Sequence, residues 1–301
     1  MGKVFIAGLI NIETTLQVDT FPIPYFPVRY PFYGVNSSVS GVGYNIAKAL
    51  TILGDEVYFA SLIGQDLAGD TVRQSLLNDG IANGLILSNL QTTAQSVILY
   101  DGEGQRQIHT DLKDIQERTF PLELARKALV GCDLAVLCDI NFARPLLVLA
   151  GELGIPIATD AHTLGGLDDA YHQDFLQVAH IVFISDEKLS EPPEIFAKQM
   201  IDRFGTQIVV IGLGSRGALL SIKGNDTVTH FPTVKTRPIV NTIGAGDALF
   251  SCFVHEYVRH GNPGIALARA MVFASYKIGS VGAADGFLTD NELDEWVCKV
   301  A

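Results

Sequence analysis

The stretch Asn241-Thr242-Ile243-Gly244-Ala245-Gly246-Asp247, followed by Ala248-Leu249-Phe250-Ser251-Cys252-Phe253-Val254, decides how this chain is read. The second half has the composition of a buried helix. The first half is then a glycine-rich turn that delivers backbone N–H groups at a helix N-terminus. Such a geometry attracts anions, because the unpaired N–H groups and the helix dipole point the same way. Gly244, Ala245 and Gly246 leave room for a phosphate to approach the backbone. A carboxylate at this place repels phosphate unless it has another task. Asp247 makes sense if it faces a neutral hydroxyl and accepts its proton while the turn neutralises a transferring phosphoryl group. It also fits a plain role at the helix start, which any early acidic side chain stabilises. The turn alone leaves both readings open.

Outward from the turn, short β-rich runs alternate with helical patterns. Residues 4–7, 57–60, 134–137, 155–158, 181–184 and 208–211 read as buried parallel strands. Val42, Ile46, Ala49, Leu50 and Leu53 repeat at helical spacing, as do Leu122, Ala125 and Leu129. Residues 263–278 form an Ala-rich helical run, and Thr289 with Glu292 makes a capping box for a last helix. The alternation predicts an α/β fold, a three-layer α/β/α sandwich around a mostly parallel sheet. Two segments break the rhythm, about 14–39 and 93–113. The first carries Pro22, Pro24, Pro27 and Pro31 among aromatics, and the second alternates around the hairpin signal Asp101-Gly102-Glu103-Gly104. Together they are expected to form a small β-sheet lid on a single domain spanning residues 1–301.

Composition narrows the function classes. With 48% hydrophobic and 18% charged residues the chain is globular, and no apolar run is long enough for a transmembrane helix. The opening apolar run is too short for a signal peptide, so a cytoplasmic protein is expected. A net charge of -12 argues against a nucleic-acid partner, although not against ATP, whose phosphates are held locally. Cys132, Cys138, Cys252 and Cys298 show no metal-ligand spacing and are expected to be reduced core thiols. Gly212-Leu213-Gly214-Ser215-Arg216-Gly217 spells a dinucleotide fingerprint, but residues 218–222 continue as strand where that fingerprint needs a helix.

The signature turn resembles the C-terminal motif D-T-x-G-A-G-D of the ribokinase-like (PfkB) family. It matches at six of seven positions, counting x, with Asn241 in place of the leading Asp. The first glycine-rich stretch, Gly41-Val42-Gly43-Tyr44-Asn45-Ile46-Ala47, is similar to the family's first signature, which ends in N-x-A. Gly64-Gln65-Asp66 and Gly69 then follow in the order of its G-x-D-x-x-G stretch. The resemblance implies an ATP-dependent kinase using Mg2+, with Asp247 as catalytic base and Gly244, Ala245 and Gly246 as anion hole. It places Gly212, Gly214, Ser215 and Gly217 at the nucleotide, together with Ser185 and Thr242. Asn11, Gly41, Gly43 and Asn45 fall at sugar-contact positions, with Glu13 where ribokinases carry Asp and Asn141 where they carry Glu. The family's N-x-x-E magnesium segment reads Ser185-Asp186-Glu187-Lys188 here. Asp186 and Glu187 can substitute through water, and a solvated charged helix start explains them equally well.

The expected activity is therefore transfer of the ATP γ-phosphate to a hydroxyl of a sugar or nucleoside. Family members acting on phosphosugars often carry Lys where Val42 stands, so an unphosphorylated acceptor is expected. Asn241 removes a carboxylate that helps hold potassium in potassium-stimulated ribokinases. A non-catalytic or weakly catalytic sugar- or nucleoside-binding protein on the same fold is the alternative, allowed by the altered N-x-x-E segment and by Ser40 in place of a usual glycine. A homodimer through the lid is expected from its exposed sheet.

Overall fold

In β1 (Lys3–Ala7) the side chains of Val4, Phe5, Ile6 and Ala7 are all buried, which a strand achieves only when helices cover both faces of its sheet. The computed structural model, which describes residues 1–103 and 105–300, shows that arrangement. The large sheet contains β1, β4 (Glu56–Gly64), β5 (Ile86–Leu90), β8 (Leu134–Leu137), β9 (Ile157–Thr163), β10 (Ile181–Ser185), β11 (Ile208–Gly212), β12 (Ala218–Ile222) and β13 (Thr229–Phe231). Their order is β13-β12-β11-β10-β9-β8-β1-β4-β5. Every pairing from β11 to β5 is parallel, and β12 and β13 close one edge antiparallel.

Alternate side chains feed two cores. Val4 and Ile6 pack with α1 (Val42–Leu53), α2 (Leu67–Asn78), α7 (Ala245–His260), α8 (Pro263–Lys277) and α9 (Asp290–Val300) on one face. Phe5 and Ala7 pack with α3 (Leu122–Leu129), α4 (Arg144–Glu152), α5 (Gln173–Val178) and α6 (Pro193–Phe204) on the other. This is the expected three-layer sandwich. From β1 the chain builds outward through β4 and β5, then crosses to β8 on the other flank. The order therefore switches between β1 and β8, and open α/β sheets bind ligands beyond the strand C-termini at such a switch.

A second sheet, in the order β3-β2-β6-β7, contains β2 (Asn11–Gln17), β3 (Val35–Ser40), β6 (Gln95–Tyr100) and β7 (Arg106–Asp111). It is the small sheet expected of the two irregular segments, with two differences. It begins at Asn11, directly after the first core strand, and the proline-rich middle, residues 18–34, forms no strand. Proline lacks the N–H that a ladder needs. In the β6–β7 hairpin, Asp101 accepts from the N–H groups of Glu103 and Gln105 at 3.0 and 2.9 Å, while Gly104 of the hairpin signal lies outside the described residues.

Smaller departures have local causes. The strand expected at 155–158 starts at Ile157, because the Ile155 N–H closes helix α4 on Ala150 and Pro156 has no N–H to give. The capping box forms as expected, with the Thr289 N–H donating to Glu292 Oε2 at 2.8 Å. Cys132, Cys138 and Cys252 are buried free thiols, but Cys298 is exposed on α9, a helix that buries only Leu293. The glycine run 212–217 forms a strand end and a 3-10 turn (Gly214–Arg216) that leads straight into β12 at Ala218, so no α-helix opens there. Among the described residues no helix is long and apolar enough to cross a membrane.

Candidate active site

Helix α7 begins on Gly244, whose φ of 74° is the left-handed conformation that glycine adopts without strain. A Cβ at Gly244 would also lie 2.5 Å from the Ala283 carbonyl oxygen, so the turn packs against the segment after α8 as only glycine permits. Gly244 offers no side-chain cap; the Ala245 N–H donates to the Thr242 carbonyl at 3.2 Å, which leaves the Gly246 and Asp247 N–H groups for an outside acceptor. Asp247 lies in that first turn. Asn45 Nδ2 donates to Asp247 Oδ2 at 2.6 Å, joining the two glycine-rich stretches across 202 residues of sequence.

Asn45 is delivered by close packing. A Cβ on Gly43 would sit 2.6 Å from the backbone carbon of Gly8, so α1 can rest on the end of β1 only with glycine there. Gly41 is the N-cap of α1. The second sheet brings in Asn11 and Glu13, both buried. Ser40 Oγ lies 3.2 Å from Glu13 Oε2 and 3.3 Å from Asn45 Oδ1, bridging β2 to α1. Asn11 Nδ2 donates to Ser96 Oγ at 2.6 Å. Two acceptors in this set, Asn11 Oδ1 and Glu13 Oε1, are buried with no partner. Buried polar atoms are rarely left so, and two orphaned acceptors suit a ligand rich in hydroxyl donors.

Burial pushes the Asp247 carboxyl above the ordinary carboxylate range, while the Asn45 hydrogen bond and the charges of His162, Lys277 and Arg106 pull it down. Burial likewise raises Glu13; its Ser40 bond and Lys277 oppose this, and Asp247 adds to it. A further group sits at the ends of β8 and β9. His172 Nε2 lies 3.0 Å from Asp139 Oδ2, and His162 lies 3.6 Å from Asp139 and 3.7 Å from Asp160. Burial works against charge on His162, but Asp160, Asp139 and Asp247 outweigh it and raise the ring to about 9. The His162 side chain is 43% exposed and is held in a left-handed backbone with φ 49°.

The other side of the turn is built from β10 and β11. Ser185 ends β10, and its Oγ accepts from the Glu187 N–H at 3.3 Å. Asp186 pairs with Arg216 of the Gly214–Arg216 turn, placing Ser215, Gly212 and Gly217 beside the 185–188 segment. Arg106, from β7 of the second sheet, donates to Thr242 Oγ1 at 3.1 Å and lies 3.4 Å from Glu187. One side chain thus ties the small sheet to both the turn and the acidic segment.

The family model described as pfkB family carbohydrate kinase matches residues 1–290. The chain belongs to the pfkB family of carbohydrate kinases. It is 23% identical over 257 residues to the acarbose 7(IV)-phosphotransferase of Actinoplanes sp., covering 85% of each chain. It is 25% identical over 278 residues to the deoxyribokinase of Salmonella typhi, covering 85% of this chain and 87% of that one. Among solved structures, the microbiome-derived acarbose kinase Mak1 matches with a TM-score of 0.88 at 24% identity over 99% of both chains. The Arabidopsis thaliana ribokinase complexed with ribose and ATP matches with a TM-score of 0.81 at 17% identity over 98% of both. These likenesses establish the ribokinase fold.

Within this pfkB-family frame, Asn11, Glu13, Asn45, Asp247 and the Gly244–Gly246 turn lie together, and Arg106 links Thr242 of the turn to Glu187, whose N–H donates to Ser185. Asn141 does not join them: its amide donates to the Gln116 carbonyl at 3.0 Å and its oxygen accepts from Arg144 at 2.9 Å. Sequence reasoning missed Ser40 as a bridge, Arg106 as a site residue, and His162, Asp139 and Asp160 altogether. Position at a strand C-terminus was the signal available for the last three. Asp186 and Glu187 are oxygen donors of the kind magnesium takes, and each is held by an arginine, so the fit is through water or by exchange with the guanidinium. The one metal-type cluster among the described residues, His255, Glu256 and Asp290, has its carboxylates paired with Arg259 and Arg269. A cleft of about 300 Å³ lined by Ser37, Tyr44, Lys48, Asp79 and Asp285 contains none of the predicted site residues.

Proposed function

We propose that residues 1–301 act as one ATP-dependent kinase domain, with the second sheet as its lid, moving the γ-phosphoryl group of ATP to a hydroxyl of a sugar or nucleoside. The observation that carries this reading is the Asn45–Asp247 contact, which holds a carboxylate at the uncapped start of α7. Asn45 takes Oδ2 and leaves Oδ1 for the acceptor hydroxyl. Asp247 accepts the hydroxyl proton as the new O–P bond forms and the bond from the γ-phosphorus to ADP breaks. The N–H groups of the turn and Arg106 stabilise charge on the transferring group. Ser185, Thr242 and the glycine turn at 212–217 form the nucleotide side. Magnesium bound with ATP near Asp186 and Glu187 would supply further neutralisation of phosphate charge. The protein works in the cytoplasm, as a dimer joined through the lid.

The acceptor is unphosphorylated. Its side of the site offers the orphaned oxygens of Asn11 and Glu13, which seek donors and repel phosphate. Names of relatives, an acarbose phosphotransferase and a deoxyribokinase among them, support a sugar hydroxyl. A coupled ADP-release screen over sugars, nucleosides and phosphosugars tests the reading. Turnover of at least one unphosphorylated acceptor is expected. ADP release with none of them would favour a binding protein, and turnover of phosphosugars alone would sink the acceptor assignment.

A further inference from the structure

Lys277 is a fully buried charged side chain, 0% exposed, at the C-terminal end of α8. A lone lysine in a protein interior is costly, so its placement calls for a reason. Its ammonium donates to the Ile243 carbonyl, the last carbonyl before the Gly244–Ala245–Gly246 turn. The Ile243 N–H is held as well, donating to Asn241 Oδ1 at 3.0 Å, while Asn241 Nδ2 donates to the Val281 carbonyl at 2.7 Å. Both polar groups of the residue that precedes the turn are therefore pinned. The charged groups around the ammonium are Asp247 from α7, Glu13 from β2, Asp285 after α8 and Arg237 before the turn. Burial lowers Lys277 to about 8, while Asp247, Asp285 and Glu13 hold it up, so it is mostly charged at neutral pH.

We propose that Lys277 is a positioning residue for phosphoryl transfer, an internal cation that fixes and polarises the anion-binding turn so that the turn needs no monovalent cation from solution. A cation on the Ile243 carbonyl draws electron density through the 243–244 peptide and makes the Gly244 N–H a stronger donor. In a poorly solvated interior its charge also reaches the phosphate position with little screening. The ammonium already occupies the Ile243 carbonyl, and Asn241 offers a solution cation no charge. The inference rests on the kinase reading above.

The test uses the full chain and Lys277→Met, with ATP affinity by calorimetry and turnover on an accepted sugar or nucleoside. Potassium is compared with tetramethylammonium at constant ionic strength. Wild-type turnover should be the same in both salts and should fall as pH rises through about 8, where the ammonium is lost. Folded Lys277→Met should bind ATP more weakly, turn over about 10–10² more slowly, and lack that alkaline limb, since a direct anion-hole donor is worth 10²–10³ and Lys277 acts one peptide removed. Several-fold potassium stimulation of the wild type would overturn the proposal, as would a folded Met variant with unchanged affinity and turnover. Should the variant not fold, the wild-type salt and pH arms decide alone. If no acceptor is phosphorylated, the kinase reading falls, and ATP titrations from about pH 6.5 to about 9.5 still decide whether Lys277 serves the anion site.

Discussion

At the scale of single residues, Asp247 separates catalysis from capping. Replacing it with Asn keeps volume and the helix start but removes the proton acceptor. Turnover should fall by about 10²–10⁴, the usual range for a general base, with ATP affinity near wild type or slightly tighter. If Asp247 only stabilises the helix start, the variant should lose about 1 kcal/mol or less and keep its turnover. Turnover, ATP affinity and Tm on the one variant distinguish these outcomes. The pH profile follows with a definite sign. Only the ionised carboxylate accepts a proton, and burial raises its folded value, so the acid limb should lie above the ordinary carboxylate range. Turnover is complete above that limb and lost as pH falls through it. Glu13, raised for the same reason, should weaken acceptor affinity over the same side of the profile if its ionised form holds the hydroxyls.

At the scale of elements, the site depends on how closely few pieces approach. Gly43 lets α1 touch β1, Gly244 lets the turn touch the Ala283 segment, and Asp66 caps α2 at Gly69 while binding Thr93 at the entrance to the second sheet. The G-x-D-x-x-G stretch is thus a structural joint between α2 and the lid. Arg106 is the element-scale contact of most consequence, because β7 reaches the turn through it. Arg106→Met should keep the fold, since partly exposed ion pairs contribute about 0.2–1 kcal/mol. It should raise the KM for ATP on the order of tenfold, because hydrogen bonds to charged groups are worth about 1.5–3 kcal/mol and the lid loses its hold on the turn. A KM within twofold of wild type would mean that the Arg106 bridge does not participate in closing the site.

At the scale of the whole molecule, the second sheet leaves β3 and β7 as unpaired edges, and Ile108 and Val97 are exposed on it. Exposed edges and apolar strand residues are costly in a monomer. Val97 and Ile108 lie on opposite faces of the sheet, and exposed Val35 shares the Val97 face. Sedimentation should therefore show a dimer that Val35→Lys with Val97→Lys converts to a monomer; a monomeric wild type would remove the lid interface. Much of the architecture was legible along the chain. Fully apolar runs of four residues at 4–7, 134–137 and 208–211 can be satisfied only by a sheet covered on both faces, and the helical spacing of Val42 to Leu53 needed no tertiary knowledge. The glycine turn before an apolar helix was legible for the same reason: local backbone chemistry depends on neighbours in sequence. What the linear order could not reveal is which distant side chains meet. Asn45 touches Asp247 across 202 residues, Arg106 bridges to Thr242 across 136, and Lys277 lies beneath Ile243 although its own segment reads only as helix. Asn141, at an expected contact position, spends its amide on Gln116 and Arg144 instead. Periodicity and turn chemistry are short-range properties and so are written locally; charge pairing and burial depend on chain crossings, and only the tertiary structure decides those.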